Sequence, residues 1–187
     1  MKIVIDGFGG DNSPDEVLKG CAMAVSELGV EIIVTGDEKK LREAIKRLEI
    51  SENGISIAPV RGIIEIADNP LDIRGSKADS SMGMAFRLLS DGTADAFVSA
   101  GSTAAIVVGG TTIAKRIKGI KRPSLAPIMP SVSGNYILLD GGANIECRPE
   151  MLYQFAVMGS CYMNRIMGVE SPRVGLLNVG TADEKGR

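Results

Sequence analysis

Histidine is absent from the 187-residue chain, and this excludes more chemistry than any other feature of the composition. Ser-His-Asp and Cys-His activation of a nucleophile both need an imidazole to take the proton, and every His-containing metal site goes with them. Chemistry on this chain must run on carboxylates, Lys, Arg, hydroxyls and backbone amides, which is easiest when the nucleophile arrives already charged. Cysteine is scarce: there are 3, an odd number without a CxxC spacing. That argues against a disulfide framework and a structural zinc site, and fits a reducing compartment. No apolar run approaches the ~20 residues that span a bilayer. The start MKIVIDGFGG has neither the basic n-region nor the apolar h-region of a signal peptide, so a cytoplasmic location is expected. The net charge is only −2 and the cations are spread, so the basic footprint of a nucleic-acid binder is missing.

What remains is the composition of a soluble globular protein, with 44% hydrophobic and 24% charged residues and 23 glycines that imply many tight turns. A chain of this length fits a single domain over 1–187. Short apolar runs bounded by Gly, Asp and Pro alternate with helical patterns, which predicts an α/β fold with a mostly parallel sheet. Strands are predicted over 2–6, 31–35, 55–60, 95–99, 136–140 and 173–178, with a further edge or irregular segment over 125–129 crowded by Pro123, Pro127 and Pro130. Helices are predicted over 14–28, 38–48, 80–89, 103–117 and 149–167. Ser13, Asp79 and Ser102 are placed as N-caps, before helices that start at Pro14, Ser80 and Thr103. The segment 61–78, RGIIEIADNPLDIRGSKA, breaks the alternation and is read either as a functional loop or as a solvated connection. The chain stops directly after its last predicted strand, where a parallel sheet usually carries a ligand loop, so an amino-terminal part of a longer protein is expected.

Ligands of open α/β sheets collect at the carboxyl ends of the strands, and the residues there are coherent. They are Asp6-Gly7-Phe8-Gly9-Gly10-Asp11, Ser99-Ala100-Gly101-Ser102-Thr103, Asp140-Gly141-Gly142-Ala143-Asn144 and Asn178-Val179-Gly180-Thr181. Gly-rich loops opening onto helix N-termini present N–H groups to anions, but neither GxGxxG nor a Walker motif is present. Taken singly, each glycine also reads as a turn residue. Ser102 and Thr103 combine two hydroxyls with a helix start, and a plain N-cap is the alternative. Asp6, Asp11 and Asp140 can orient a cation, bind a metal or cap a loop. Asn144 and Asn178 can donate to an oxyanion or merely close turns. Arg122 and Lys185 can neutralise phosphate or remain solvated. Cys21 and Cys161 are read as small apolar residues of helices, and Cys147, just before a helix, as structural ahead of acyl-carrying. The stretch 151–158 is read as core.

Taken together, DGFGGDNSP at 6–14, DSSM at 79–82, DAFVSAGST at 95–103, RP at 122–123, LLDGGAN at 138–144 and PRVGLLNVG at 172–180 resemble the PlsX-type phosphate acyltransferases. The departures are Phe8 for the usual Met, Gly141 for Val, Ala104 for Gly, and Thr181-Ala182 within a normally acidic run. The resemblance implies a three-layer α/β/α fold related to the phosphotransacetylases and the isocitrate/isopropylmalate dehydrogenase group. It implies transfer of a fatty acyl group from acyl-[acyl carrier protein] to inorganic phosphate, giving acyl phosphate for phospholipid synthesis, without a cofactor or metal. It further implies a homodimer and weak peripheral association with the inner face of the cell membrane. Under it, Asn144, Asn178 and Lys185 are the catalytic candidates, and Asp6, Gly9, Gly10, Asp11, Ser99, Gly101, Ser102, Thr103, Arg122 and Asp140 bind phosphate or the acyl group. The competing readings are a metal- and NAD(P)-linked dehydrogenase of the related fold and a non-catalytic fragment that binds acyl carrier protein.

Overall fold

The computed structural model describes residues 1–144 and 146–177. The chain, read from its sequence as one domain, forms two compact units, Met1–Lys118 and Gly119–Arg187, and each is described by itself.

The first unit runs β1 (Lys2–Asp6), α1 (Asp15–Leu28), β2 (Glu31–Gly36), α2 (Glu38–Arg47), β3 (Ile55–Pro59), a 3-10 turn at Pro70–Arg74, α3 (Ser81–Ser90), β4 (Ala96–Val98) and α4 (Thr103–Gly109), which passes into a π-helical turn at Gly110–Lys115. Its strands are all parallel, in the order β3-β2-β1-β4. The two-residue period of β2 explains why both sheet faces are covered. Ile32 and Val34 pack with Leu18 and Cys21 of α1 and Leu41, Ala44 and Ile45 of α2. Ile33 points the other way and joins Val4 and Ala85 of α3. Thr35, fully buried on that second face, donates its hydroxyl to the Ser81 carbonyl at 2.8 Å and so fixes the start of α3 on the sheet. Helices on both faces of a parallel sheet give the three-layer architecture.

Local signals set the helix ends. The Asp37 carboxylate accepts from Lys40 N at 3.1 Å, and Lys46 and Arg47 occupy the last turn of α2, where cations suit the helix dipole. Ser102 caps α4 as expected, accepting from Ala105 N at 3.4 Å, whereas α3 is capped by Ser80, one residue after the expected Asp79, accepting from Gly83 N at 3.1 Å. Ser13 does not cap α1. Pro14 holds that position without a side-chain cap, and the Asn12 and Pro14 carbonyls close the first turn by accepting from Glu16 and Leu18 N.

The second unit holds an antiparallel hairpin, β5 (Ile128–Ser131) and β6 (Gly134–Ile137), followed by α5 (Pro149–Arg165). Pro149 opens the helix at a position that needs no N–H. Two strand expectations are corrected here. The strand expected over 136–140 is β6, shifted toward the amino end because its partner is β5, which has Pro127 just before it and Pro130 within it. Residues 173–177 form no strand: they pair with no neighbour among the described residues, and without a ladder an apolar run stays irregular. Within α5, Met151 and Phe155 are buried while Tyr153 is exposed, so the stretch read as core is core on one face only. Cys21 is buried, but Cys161, also expected to pack inward, is exposed.

Thr35→Val keeps the side-chain shape and removes the hydroxyl that donates to the Ser81 carbonyl at the start of α3. Urea unfolding followed by circular dichroism is expected to show a loss of about 1–3 kcal/mol, and an unchanged midpoint would mean that this hydrogen bond does not hold α3.

Candidate functional site

The strand order places β1 between β2 and β4, so the chain winds outward to β3 and then returns to the opposite side of β1. That reversal opens a crevice at the carboxyl ends of β1 and β4, and four of the expected site residues, Asp6, Gly9, Ser99 and Gly101, meet there. Asp6, at the end of β1, is 2% exposed. Its Oδ2 accepts from the Ser99 hydroxyl at 2.8 Å and its Oδ1 from Phe8 N at 3.3 Å. Ser99 Oγ in turn accepts from Gly101 N at 3.0 Å. Gly9 lies directly on this chain of bonds: a Cβ there would stand 2.7 Å from Asp6 Oδ2, 2.7 Å from Ser99 Oγ and 2.9 Å from Gly101 N. Only glycine fits, and the two loops interlock because it does. Asp6 was expected to bind substrate. Its buried carboxylate instead holds the loops together.

Ser102 begins α4, and its hydroxyl oxygen accepts from Ala105 N. Acceptance leaves its O–H free to donate, so capping and ligand binding are compatible. The N–H groups of Thr103 and Ala104 have no acceptor among the described residues, as expected for the first turn of a helix. Thr103 and Ala104 are both exposed.

Next to this turn lies a pocket of ≈ 340 Å³ lined by Phe8, Gly10, Gly101, Ser102 and residues 63–67. Asp11 is at its edge, exposed. Sequence reasoning singled out 61–78 as a segment but named none of these wall residues. Three isoleucines, Ile63, Ile64 and Ile66, within an otherwise polar loop were the available signal.

In the second unit Asp140 is the hub. Its Oδ1 accepts from Leu125 N at 2.7 Å, and its Oδ2 accepts from Asn144 N at 2.7 Å and from Asn144 Nδ2 at 2.9 Å. Burial pushes this carboxyl up, but the Asn144 side chain and the backbone N–H groups of Leu125, Asn144 and Ala143 outweigh it and hold the pKa below the usual carboxylate value. Asn144 Nδ2 also donates to the Pro123 carbonyl at 2.9 Å. Both of its side-chain N–H bonds therefore have acceptors, so the oxyanion-donor role expected of Asn144 has no free donor here. Asp140 likewise orders its own loop. Arg122 is exposed in the same unit. A second, largely apolar cavity of ≈ 490 Å³ is bounded by Leu139, Cys147, Phe155, Met163 and Leu176. Asn178 and Lys185 lie outside the described residues.

A family model described as "Fatty acid synthesis protein" matches residues 1–187. The chain is 43% identical to the "Phosphate acyltransferase" of Clostridium novyi (strain NT), over 100% of its own length and 56% of that protein. It is 41% identical to the "Phosphate acyltransferase" of Clostridium acetobutylicum, again over 100% of itself and 56% of the relative. The chain thus spans about half the length of the curated relatives it matches. A phosphotransacetylase from Streptococcus pyogenes shares the fold with a TM-score of 0.69 at 24% identity, over 90% of this chain and 55% of that one. The EutD phosphotransacetylase from Staphylococcus aureus does so with a TM-score of 0.63 at 24% identity, over 87% and 52%.

All 3 tyrosines, Tyr136, Tyr153 and Tyr162, fall in the second unit, so tyrosine fluorescence reports on that unit alone. Asp140→Ala strands two backbone N–H donors and is expected to cost about 1–3 kcal/mol at neutral pH. The folded-state pKa is depressed, so the contribution of Asp140 is complete above the ordinary carboxylate value of ~3.9 and fades as pH falls through the lower folded value. The gap between wild type and variant should close on acidification below about pH 4. A gap independent of pH would separate the effect from the carboxylate charge.

Proposed function

The chain belongs to the fatty acid synthesis protein family, and from that premise we propose that its protein transfers a fatty acyl group from acyl-[acyl carrier protein] to inorganic phosphate, releasing acyl phosphate for phospholipid synthesis. The observation that carries this reading is the likeness to phosphate acyltransferases along the whole chain. The fold adds to it, because the crevice at the β1 and β4 ends opens beside a helix start with unpaired N–H groups and two hydroxyls.

The chemistry suits a protein that must work without imidazole. A phosphate oxygen, already anionic at neutral pH, attacks the thioester carbonyl carbon and forms a C–O bond and a tetrahedral oxyanion. Collapse of that intermediate breaks the C–S bond, and the electron pair leaves on the thiolate, which is stable enough to depart without obligatory protonation. The protein's tasks are positioning and charge stabilisation. Phosphate is assigned to the Ser102 and Thr103 hydroxyls with the Thr103 and Ala104 N–H groups. The resemblance assigns positive charge to Lys185 and Arg122 and an oxyanion donor to Asn178. Asn144 acts indirectly by holding Asp140 and the Pro123 carbonyl. Burial, followed by the negative charge of Asp140, pushes the Cys147 thiol up, which disfavours the thiolate an acyl-cysteine would require. Acyl transfer is therefore direct. Homodimerisation and weak peripheral attachment to the membrane complete this reading.

Two measurements on the whole protein test it. Thr103→Val should raise KM for phosphate about ten- to a hundred-fold, the effect of losing one hydrogen bond to a charged ligand, while KM for the thioester stays within about twofold. Equal changes in both constants would remove phosphate from this helix end. Cys147→Ala should keep most of its activity, and a chemically competent acyl adduct on Cys147 would overturn direct transfer.

A further inference from the structure

The ≈ 340 Å³ pocket beside the start of α4 has the wrong electrostatics for phosphate. Its charged lining residues are Asp11 and Glu65, both exposed, and no Lys or Arg lines it among the described residues. Two carboxylates repel an anion, and the remaining wall is apolar: Phe8 with Ile63, Ile64 and Ile66. Two carboxylates alone do not make a cation site either, and no group of three or more such donors occurs among the described residues. The side formed by Gly10, Gly101 and Ser102 offers backbone and hydroxyl groups. Such a surface suits a neutral occupant that is polar at one end and hydrocarbon at the other.

The apolar wall is held rigidly. Ile64 is 5% exposed and packs with Ile73, Met82, Phe86 and Ala105. Gly62 N donates to the Asp79 carbonyl at 3.2 Å, and Ser81 N donates to the Gly62 carbonyl at 2.8 Å. Asp68 accepts from Glu65 N at 2.6 Å and pairs with Lys77. The Phe8 ring, also part of the lining, is pressed against Gly36, where a Cβ would come within 2.3 Å of it. Lining residues held in place discriminate by shape, whereas a loop free to move would adapt.

We propose that this pocket receives the acyl end of the thioester, with its carbonyl toward Gly101 and Ser102 and its first methylenes against Phe8 and Ile66 of the lining, so that these two side chains set the width of the slot the chain enters. The inference rests on the acyl-transfer reading. It adds a division of the crevice into an anion side at the exposed start of α4 and a neutral side in the pocket. A volume of ≈ 340 Å³ lies at the small end of ligand pockets, about 300–1,000 Å³, and fits the proximal part of a chain with its remainder outside.

The test compares straight-chain acyl thioesters with those carrying a methyl branch near the carbonyl, in the whole protein, as wild type, Phe8→Leu and Ile66→Ala. Ile66 is 73% exposed, so its truncation leaves folding intact even if the Phe8 variant does not fold. Widening the slot should raise the kcat/KM ratio of branched to straight substrate by about tenfold, the scale set by one methyl in a shaped pocket, with KM for phosphate unchanged. A ratio constant within twofold in Ile66→Ala, or an effect on phosphate KM in place of the ratio, would overturn the assignment. Wild type that releases no acyl group in response to phosphate would defeat the acyl-transfer reading itself. In that case calorimetric titration of the same thioesters without phosphate still decides: branched-over-straight affinity altered by Ile66→Ala sustains the pocket, and affinity indifferent to it removes the pocket.

Discussion

One buried hydrogen bond organises the crevice of the first unit. The carboxylate of Asp6 closes β1, the hydroxyl of Ser99 follows β4, and they meet at 2.8 Å at the point where the order of the sheet reverses. A carboxylate that is 2% exposed is costly unless donors reach it, and the donors it finds come from both flanking loops. Ser99 passes the constraint on to Gly101 N, and Gly9 fits over the junction because it has no Cβ. The start of α4, the pocket beside it and the placement of Ser102 all follow from how these two loops are clamped.

The clamp also separates the charges in the crevice. On one side stand hydroxyls and the unpaired N–H groups of a helix start, which favour a dianion. On the other stand isoleucines, an aromatic ring and two carboxylates, which favour an uncharged chain. The proposed acyl transfer to phosphate needs both in contact, since the nucleophile is charged and the electrophile is not. Such a reaction is open to a protein without histidine, because neither partner has to be deprotonated by the protein. What it must supply is a fixed distance between two environments, and a rigid parallel sheet is well suited to that.

Asp140 plays the corresponding part in the second unit by a different route. Its carboxylate gathers the backbone N–H groups of Leu125 and Asn144 and the Asn144 amide, and those bonds hold it ionised. The resemblance implied ligand contact for both acidic residues, while their place at strand ends left loop capping open. In the structure both act on their own loops, the commoner duty of a carboxylate at the end of a strand.

The parallel sheet of the first unit was legible in the sequence because its strands are short apolar runs between helices with strong caps, and period and capping are local properties. The pairing of Asp6-Gly7-Phe8-Gly9-Gly10 with Ser99-Ala100-Gly101-Ser102 as candidate ligand loops was legible for the same reason: both follow strand-like runs. Less was legible in the second unit. Its apolar runs at 136–140 and 173–177 look like the others, but whether a run becomes a strand depends on a partner for its N–H and C=O groups, and a hairpin with β5 took one of them. The sequence by itself determined which residues stand at strand ends and which chemistry the missing histidine forbids. Only the tertiary structure decided that Asp6 and Asp140 face inward to their own loops, that both N–H bonds of Asn144 are occupied, and that Phe8 and Ile66 line one pocket. Those outcomes depend on contacts between residues tens of positions apart, and no local pattern encodes them.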